Sequence, residues 1–283
     1  MEPELLFAEP IEALPPAYPT LGESWGVLGW FLVVSLVVGA PLYGLVHWLL
    51  PMQLPAYKLG AGAGLSIVVE VVLLGWLRWR VSPARWPRLS WNVGGPSWQL
   101  YALLLVLVPI QAAVLVGLHL LPLPNWTAKT FLSMAQYPAL SLAFGCLLAP
   151  LLEEILFRGI ILRGLLRNYS PAVAIGQSAL LFGVFHLNPA QSLFAMLFGV
   201  TLGWLYYRTQ SLAICITMHA LNNLLSFSLM MHSGPSMSEA AEYKFLHSYA
   251  FLLTLLVAGL LLGGLVWLIK RMTSPPPAES LAE

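Results

Sequence analysis

The chain contains no aspartate; all 12 of its acidic residues are glutamate. A membrane-embedded protease built on an aspartate pair is therefore excluded. No HExxH occurs either, so that helical zinc signature is absent. Charge of any kind is scarce, at 9% of 283 residues, against roughly 25% in soluble domains. With 59% hydrophobic residues, 13 Lys+Arg and 12 glutamates cannot give a body of this size a polar skin. A soluble globular domain is thus excluded, and the chain reads as a polytopic membrane protein. A net charge of +1 gives no basis for a nucleic-acid partner. The two cysteines, Cys146 and Cys215, form neither a CxxC pair nor a disulfide framework and read as core residues.

What is present is a series of apolar runs. They cover Trp25–Leu50, Leu59–Leu77, Trp98–Leu121, Phe131–Leu152 continuing as helix to Arg167, Ala172–Leu187, Gln191–Tyr207, Ser211–Met231 and Tyr249–Ile269. In lipid a segment must satisfy its own backbone, so each run predicts a helix. The expected fold is all-α, with about eight transmembrane helices around an intramembrane polar cavity. The fifth and sixth runs are short, which predicts tilted or partly shielded helices there. Residues 1–22, with five prolines, four glutamates and no basic n-region, read as a cytoplasmic tail and not a signal peptide. Residues 23–271 form a single transmembrane domain, and residues 272–283 a disordered C-terminal tail.

With the N-terminus inside, the inner segments hold Arg78, Arg80, Arg85, Arg88, Arg163, Arg167, Arg208, Lys270 and Arg271, and the outer loops only Lys58, Lys129 and Lys244. The positive-inside rule therefore predicts that both termini are cytoplasmic. A prokaryotic inner (cell) membrane is the expected location.

Polar side chains inside the spans carry the functional information, because a charge in hydrocarbon costs about 3 kcal/mol even on the insertion scale. Glu153-Glu154-Ile155-Leu156-Phe157-Arg158 places Arg158 four residues after Glu154, so that the two can pair. Glu153 is rotated about 100° from that cation and is the candidate general base. Phe182 precedes His186 by one turn, and His219 and Asn223 share a helix face at i, i+4. Glu153 and His186 are equidistant from a turn at Asn168–Pro171, each about 24 Å along its helix. His219 and Asn223 fall about 14 and 20 Å from the turn at Thr209-Gln210. Three helices thus bring Glu, His, His and Asn to one slab, expected to open toward the cytoplasm.

Such a set suits water activation by Glu153, water orientation by His186, and stabilisation of a tetrahedral oxyanion by His219 and Asn223. The reaction is hydrolysis of a peptide bond without a covalent enzyme intermediate and without a cofactor. Two His and a Glu are also a zinc ligand set, so a metal-assisted version on Glu153, His186 and His219 stays open. A rival from another class is a non-catalytic membrane binding, immunity or scaffold protein using the same cavity.

In order on consecutive helices, EExxxR, FxxxH and HxxxN resemble the CAAX protease and bacteriocin-processing family (CPBP, or Abi) of intramembrane glutamic endopeptidases, including type II CAAX prenyl endopeptidases. The resemblance covers a motif core of residues 140–225. It implies catalytic roles for Glu153, Glu154, His186, His219 and Asn223, with Arg158 and Phe182 in support. It also implies a membrane-anchored protein or peptide substrate, which in some family members is lipidated, and contact with membrane lipid.

Three further features stand outside these motifs. Glu70 is alone in an apolar run and reads as a neutral carboxyl bonded to a neighbouring helix, or as a gate for substrate. Gly199/Gly203 and Gly60/Gly64 are GxxxG pairs, read as sites of close helix packing. Gly176-Gln177-Ser178-Ala179 has the shape of a serine nucleophile motif, for which a polar contact between helices is the simpler account.

Overall fold

A computed structural model describes residues 15–50, 54–92, 95–232, 244 and 246–277. The first 14 residues, the core of the last outer loop and the end of the C-terminal tail lie outside the described residues.

Among the described residues the protein is all-helical. The elements are α1 (Leu21–Leu49), α2 (Pro55–Arg80), α3 (Trp98–Leu115), the short α4 (Ala128–Ala135), α5 (Pro138–Asn168), α6 (Pro171–Phe185), α7 (Pro189–Thr209), α8 (Leu212–His232) and α9 (Tyr249–Met272). The apolar runs are helical, but the fourth is broken at Gln136–Tyr137, so that Phe131–Ala135 belongs to α4 and α5 begins at Pro138. Among the described residues six helices are long and apolar enough by themselves to cross a membrane. The fifth run, α6, has 15 residues and is about 22 Å long, short of a hydrocarbon core about 30 Å thick. The sixth, α7, is long enough at 21 residues, but Gln191, Ser192, Thr201 and its tyrosines make it less apolar.

These two helices pack on each other along their length. Gly183 is one reason they can: a Cβ there would lie 2.5 Å from the Ser192 carbonyl oxygen. Gly199 and Gly203 face Ala179 and Ile175 in the same seam. The other pair differs. Gly64 has open space around it and Gly60 meets only Leu140, so no tight helix crossing depends on them. Ser178 donates from its hydroxyl to the Phe157 carbonyl at 3.2 Å, which is the helix contact expected of it.

One end of the bundle gathers the basic residues. Arg85 forms a bidentate bond to Glu23 and bonds the Pro16 carbonyl. Asn168 bonds both the N–H and the carbonyl of Ala17. Arg208 bonds the carbonyls of Lys270 and Thr273, while Arg78 and Arg80 lie over the rings of Trp86 and Trp30. Residues at the close of the expected tail are therefore packed into this end: Ala17 and Tyr18 are buried, and Thr20 caps α1 in a capping box with Glu23.

Helix α5 is irregular where it matters. Pro150 lies in its interior and cannot donate to the preceding turn. π-type turns flank the proline region, over Ser141–Leu148 and Ile155–Leu162, on either side of Glu153 and Glu154.

Candidate active site

A cavity of about 1100 Å³ runs from mid-depth to the end opposite the basic residues. Glu153, His186, His219 and Asn223 all line it. At that end its lining includes residues of the 121–127 loop and the α6–α7 turn, which are joined where Ala190 N–H bonds the Pro124 carbonyl and Trp126 N–H bonds Asn188. No residue of the basic-end loops 81–97, 168–171 or 209–211 lines it among the described residues. The positive-inside orientation and an opening toward the cytoplasm therefore cannot both hold. The cavity lies at the other end because α6 is too short to reach that face, so its turn carries His186 into the membrane layer. Irregular backbone at such depth is tolerated where it lines a polar cavity.

The first motif divides its two carboxylates as the helix geometry predicts. Arg158 Nη1 donates to Glu154 Oε1 at 2.8 Å, and both side chains are fully buried. The guanidinium also donates to the Gly199 carbonyl at 3.3 Å and lies over the Phe182 ring at 4.5 Å. The close α6–α7 seam thus delivers a backbone acceptor to the arginine. Glu153 points elsewhere, into the cavity, with its Oε2 buried and without a hydrogen-bond partner among the described residues.

His219 joins the two carboxylates. Its Nδ1 lies 2.8 Å from Glu154 Oε1, and its Nε2 lies 3.9 Å from Glu153 Oε2. Because the Arg158-paired carboxylate accepts, Nδ1 carries the proton and Nε2 is turned to the cavity. His186 ends α6, where Leu187 takes a left-handed conformation with φ of 49°. Its Nδ1 donates to the Phe182 carbonyl at 2.8 Å, leaving Nε2 as the free acceptor. Phe157 meets Phe182 and Phe185 edge-on at 5.0 and 5.2 Å, so the α5–α6 hairpin brings the Glu153 turn level with the His186 turn. No hydrogen bond or ion pair joins Glu153 to His186 among the described residues; the two share the cavity.

Asn223 lines the cavity but is partly committed: its Nδ2 donates to the Gly145 carbonyl at 2.7 Å, and its Oδ1 accepts from Asn222 at 3.3 Å. One Nδ2 hydrogen remains for another acceptor. Sequence reasoning missed Asn222, Gly145 and the Asn188 clamp on the His186 turn, whose partners are far away in the chain. It undervalued Glu70, which lines the same cavity.

Among the described residues no three His, Cys, Asp or Glu side chains are gathered as ligands of a metal; the Nδ1 bonds of His219 and His186 leave Nε2 of each ring open to the cavity.

Fold and site together define a polytopic helical membrane protein with a buried Glu–Arg–His cluster facing a cavity. Residues 135–225, about a third of the chain, match the family model described as Rce1-like, type II CAAX prenyl endopeptidase Rce1-like. This segment contains all three motifs, and the match bears out the resemblance to the CAAX protease (CPBP) family. It supports a CAAX-type protease acting on a membrane-associated protein. No curated protein and no solved structure matches the chain.

Proposed function

We propose that the protein is an intramembrane endopeptidase that hydrolyses a peptide bond of a membrane-associated protein with water activated by Glu153. The observation that carries this reading is the pairing of Glu153 Oε2 with His219 Nε2 at 3.9 Å on the wall of a shared cavity, while Arg158 holds the neighbouring Glu154 away from it. A separation of that size suits two groups acting on one small molecule between them.

In this reading Glu153 takes a proton from water as the water oxygen adds to the scissile carbonyl carbon. His186 orients that water through Nε2. The oxyanion is met by His219 Nε2, as imidazolium, and by the remaining Nδ2–H of Asn223. The C–N bond then breaks, its electron pair stays on nitrogen, and Glu153 returns the proton there. The products are a carboxylic acid and an amine, so Glu153 is unchanged over the cycle. Glu154 and Arg158 act through His219 and are positioning residues.

The charge distribution supports an integral membrane protein with both termini cytoplasmic, which turns the cavity end lined by the 121–127 loop toward the extracytoplasmic face. The test of the activity is sequencing of membrane-protein termini from cells carrying the wild type or Glu153→Gln. New N-termini that depend on Glu153 are expected, and a purified wild-type protein should cut the same sites at an unchanged rate in the presence of a chelator. Identical termini in both strains, with a partner retained by the cavity, would instead favour the binding protein.

A further inference from the structure

Glu70 is a buried acid that the steps above leave unused. It sits at mid-length of α2 and is 7% exposed. It lines the same cavity as Glu153, His186 and His219. Its Oε2 is fully buried and has no hydrogen-bond partner among the described residues. The bond to a neighbouring helix, one expectation from the sequence, is not made at that oxygen among the described residues. Ser66, one turn earlier, gives its hydroxyl proton to the Gly62 carbonyl, so it does not meet Glu70 as a donor.

Glu153 shares the cavity wall with two further groups, His219 on α8 and Glu70 on α2. Both helices pack on the Glu153 turn of α5. The two neighbours have opposite chemistry. His219 and Asn223 offer N–H donors, which suit the oxygen of a tetrahedral intermediate. The carboxyl of Glu70 adds acceptor oxygens that those donors do not provide, and these suit the N–H on the nitrogen side of the same carbon. A buried carboxyl without a partner is costly in a membrane interior, and the default reading of such a residue is contact with what enters the cavity.

Resting on the endopeptidase reading, we propose that Glu70 is a further catalytic residue: its carboxyl accepts a hydrogen bond from the N–H of the scissile amide and holds the leaving amine. Glu70 contributes no atom to the reaction. Glu153 still supplies the proton that nitrogen gains when the C–N bond breaks. The role of Glu70 is to keep that nitrogen turned toward Glu153 and to hold the departing amine by its N–H groups.

The test uses the full-length protein in liposomes and two membrane-anchored reporter peptides built on one wild-type cleavage site. One carries the scissile amide and the other an ester at the same bond, which has no N–H to donate. Glu70→Ala should lower kcat on the amide roughly ten- to hundredfold, the scale of leaving one buried hydrogen-bond partner unsatisfied, and change the ester rate less than about threefold. Glu70→Gln, which keeps an acceptor oxygen, should recover part of the amide rate. Equal losses on both reporters would reveal a structural role and overturn the proposal, as would an unchanged amide rate. Glu153→Gln separates this from the underlying reading, since it should abolish cleavage of both reporters. Full rates in Glu153→Gln would sink the hydrolytic site and this proposal with it.

Discussion

His219 places its Nδ1 2.8 Å from Glu154 Oε1, and the same oxygen receives Arg158 Nη1 at 2.8 Å. One carboxylate oxygen thus fixes a histidine from α8 and an arginine from its own helix. The arrangement follows the logic of a carboxylate that orients an imidazole without entering the reaction. Two adjacent glutamates thereby take different roles, since Glu154 aims His219 while Glu153 faces the cavity.

That division predicts different outcomes for the two isosteric amides. Glu153→Gln should lower turnover by at least about a hundredfold, the usual contribution of a general base, with folding intact. Glu154→Gln should also slow turnover, but by another route: the amide can donate to Nδ1 and reverse the proton arrangement of the ring. Ring nitrogen chemical shifts of His219 should change chiefly at Nδ1 in Glu154→Gln and chiefly at Nε2 in Glu153→Gln. Identical ring spectra in both variants would contradict the assignment.

Arg158 is the second test. Removing it leaves the Glu154 carboxylate fully buried without its cation, a loss of about 3–5 kcal/mol in comparable buried pairs. Arg158→Ala should therefore lower thermal stability in detergent sharply. Lysine should rescue only in part, because an ammonium cannot at once reach Glu154, bond the Gly199 carbonyl and lie flat over Phe182 as the guanidinium does. Full stability of Arg158→Lys would show that those additional contacts contribute little.

How much of this is legible in the sequence follows from the range of each interaction. Helices are legible because lipid leaves the backbone no alternative, and the Glu154–Arg158 pair because i, i+4 geometry is local. The Glu154–His219 bond spans 65 residues and depends on how α8 packs against α5, which no periodicity encodes. The short α6 is visible as a short run, but an opening toward the cytoplasm does not follow from it. A depth of about 24 Å from the basic-side turn, in a core about 30 Å thick, already puts Glu153 and His186 nearer the far face. Of the two GxxxG pairs, spacing alone does not distinguish the one that meets a helix from the one that faces open space.

Those glycines give a contrast that stability measurements can check. A Cβ at Gly199 would lie 3.2 Å from both Ala179 Cα and Phe182 Cδ1, and larger side chains have nowhere to go. Gly199→Leu should cost about 1–3 kcal/mol by overpacking and should reduce activity, since the same residue supplies the carbonyl that anchors Arg158. Gly64→Ala meets nothing within 4 Å and should stay within about 0.5 kcal/mol of the wild type. Comparable melting shifts in the two variants would refute the claim that α7, and not this part of α2, forms the tight seam.

Orientation is the remaining question that one experiment decides. Arg85, Asn168 and Arg208 tie the basic loops to Pro16, Ala17 and Lys270 at one face, and the cavity is lined by the 121–127 loop at the other. Charge bias puts the basic face in the cytoplasm. In intact cells a membrane-impermeant maleimide should then label Lys129→Cys, exposed next to the 121–127 loop, and should reach Ala84→Cys, exposed on the basic face, only after permeabilisation. Cys146 and Cys215 are buried and should stay silent in both. The reverse labelling would turn the molecule over, so that substrates reach Glu153 from the cytoplasm. It would also mean that the nine basic residues do not set the topology, and the charge argument would have to be abandoned while the site geometry stood.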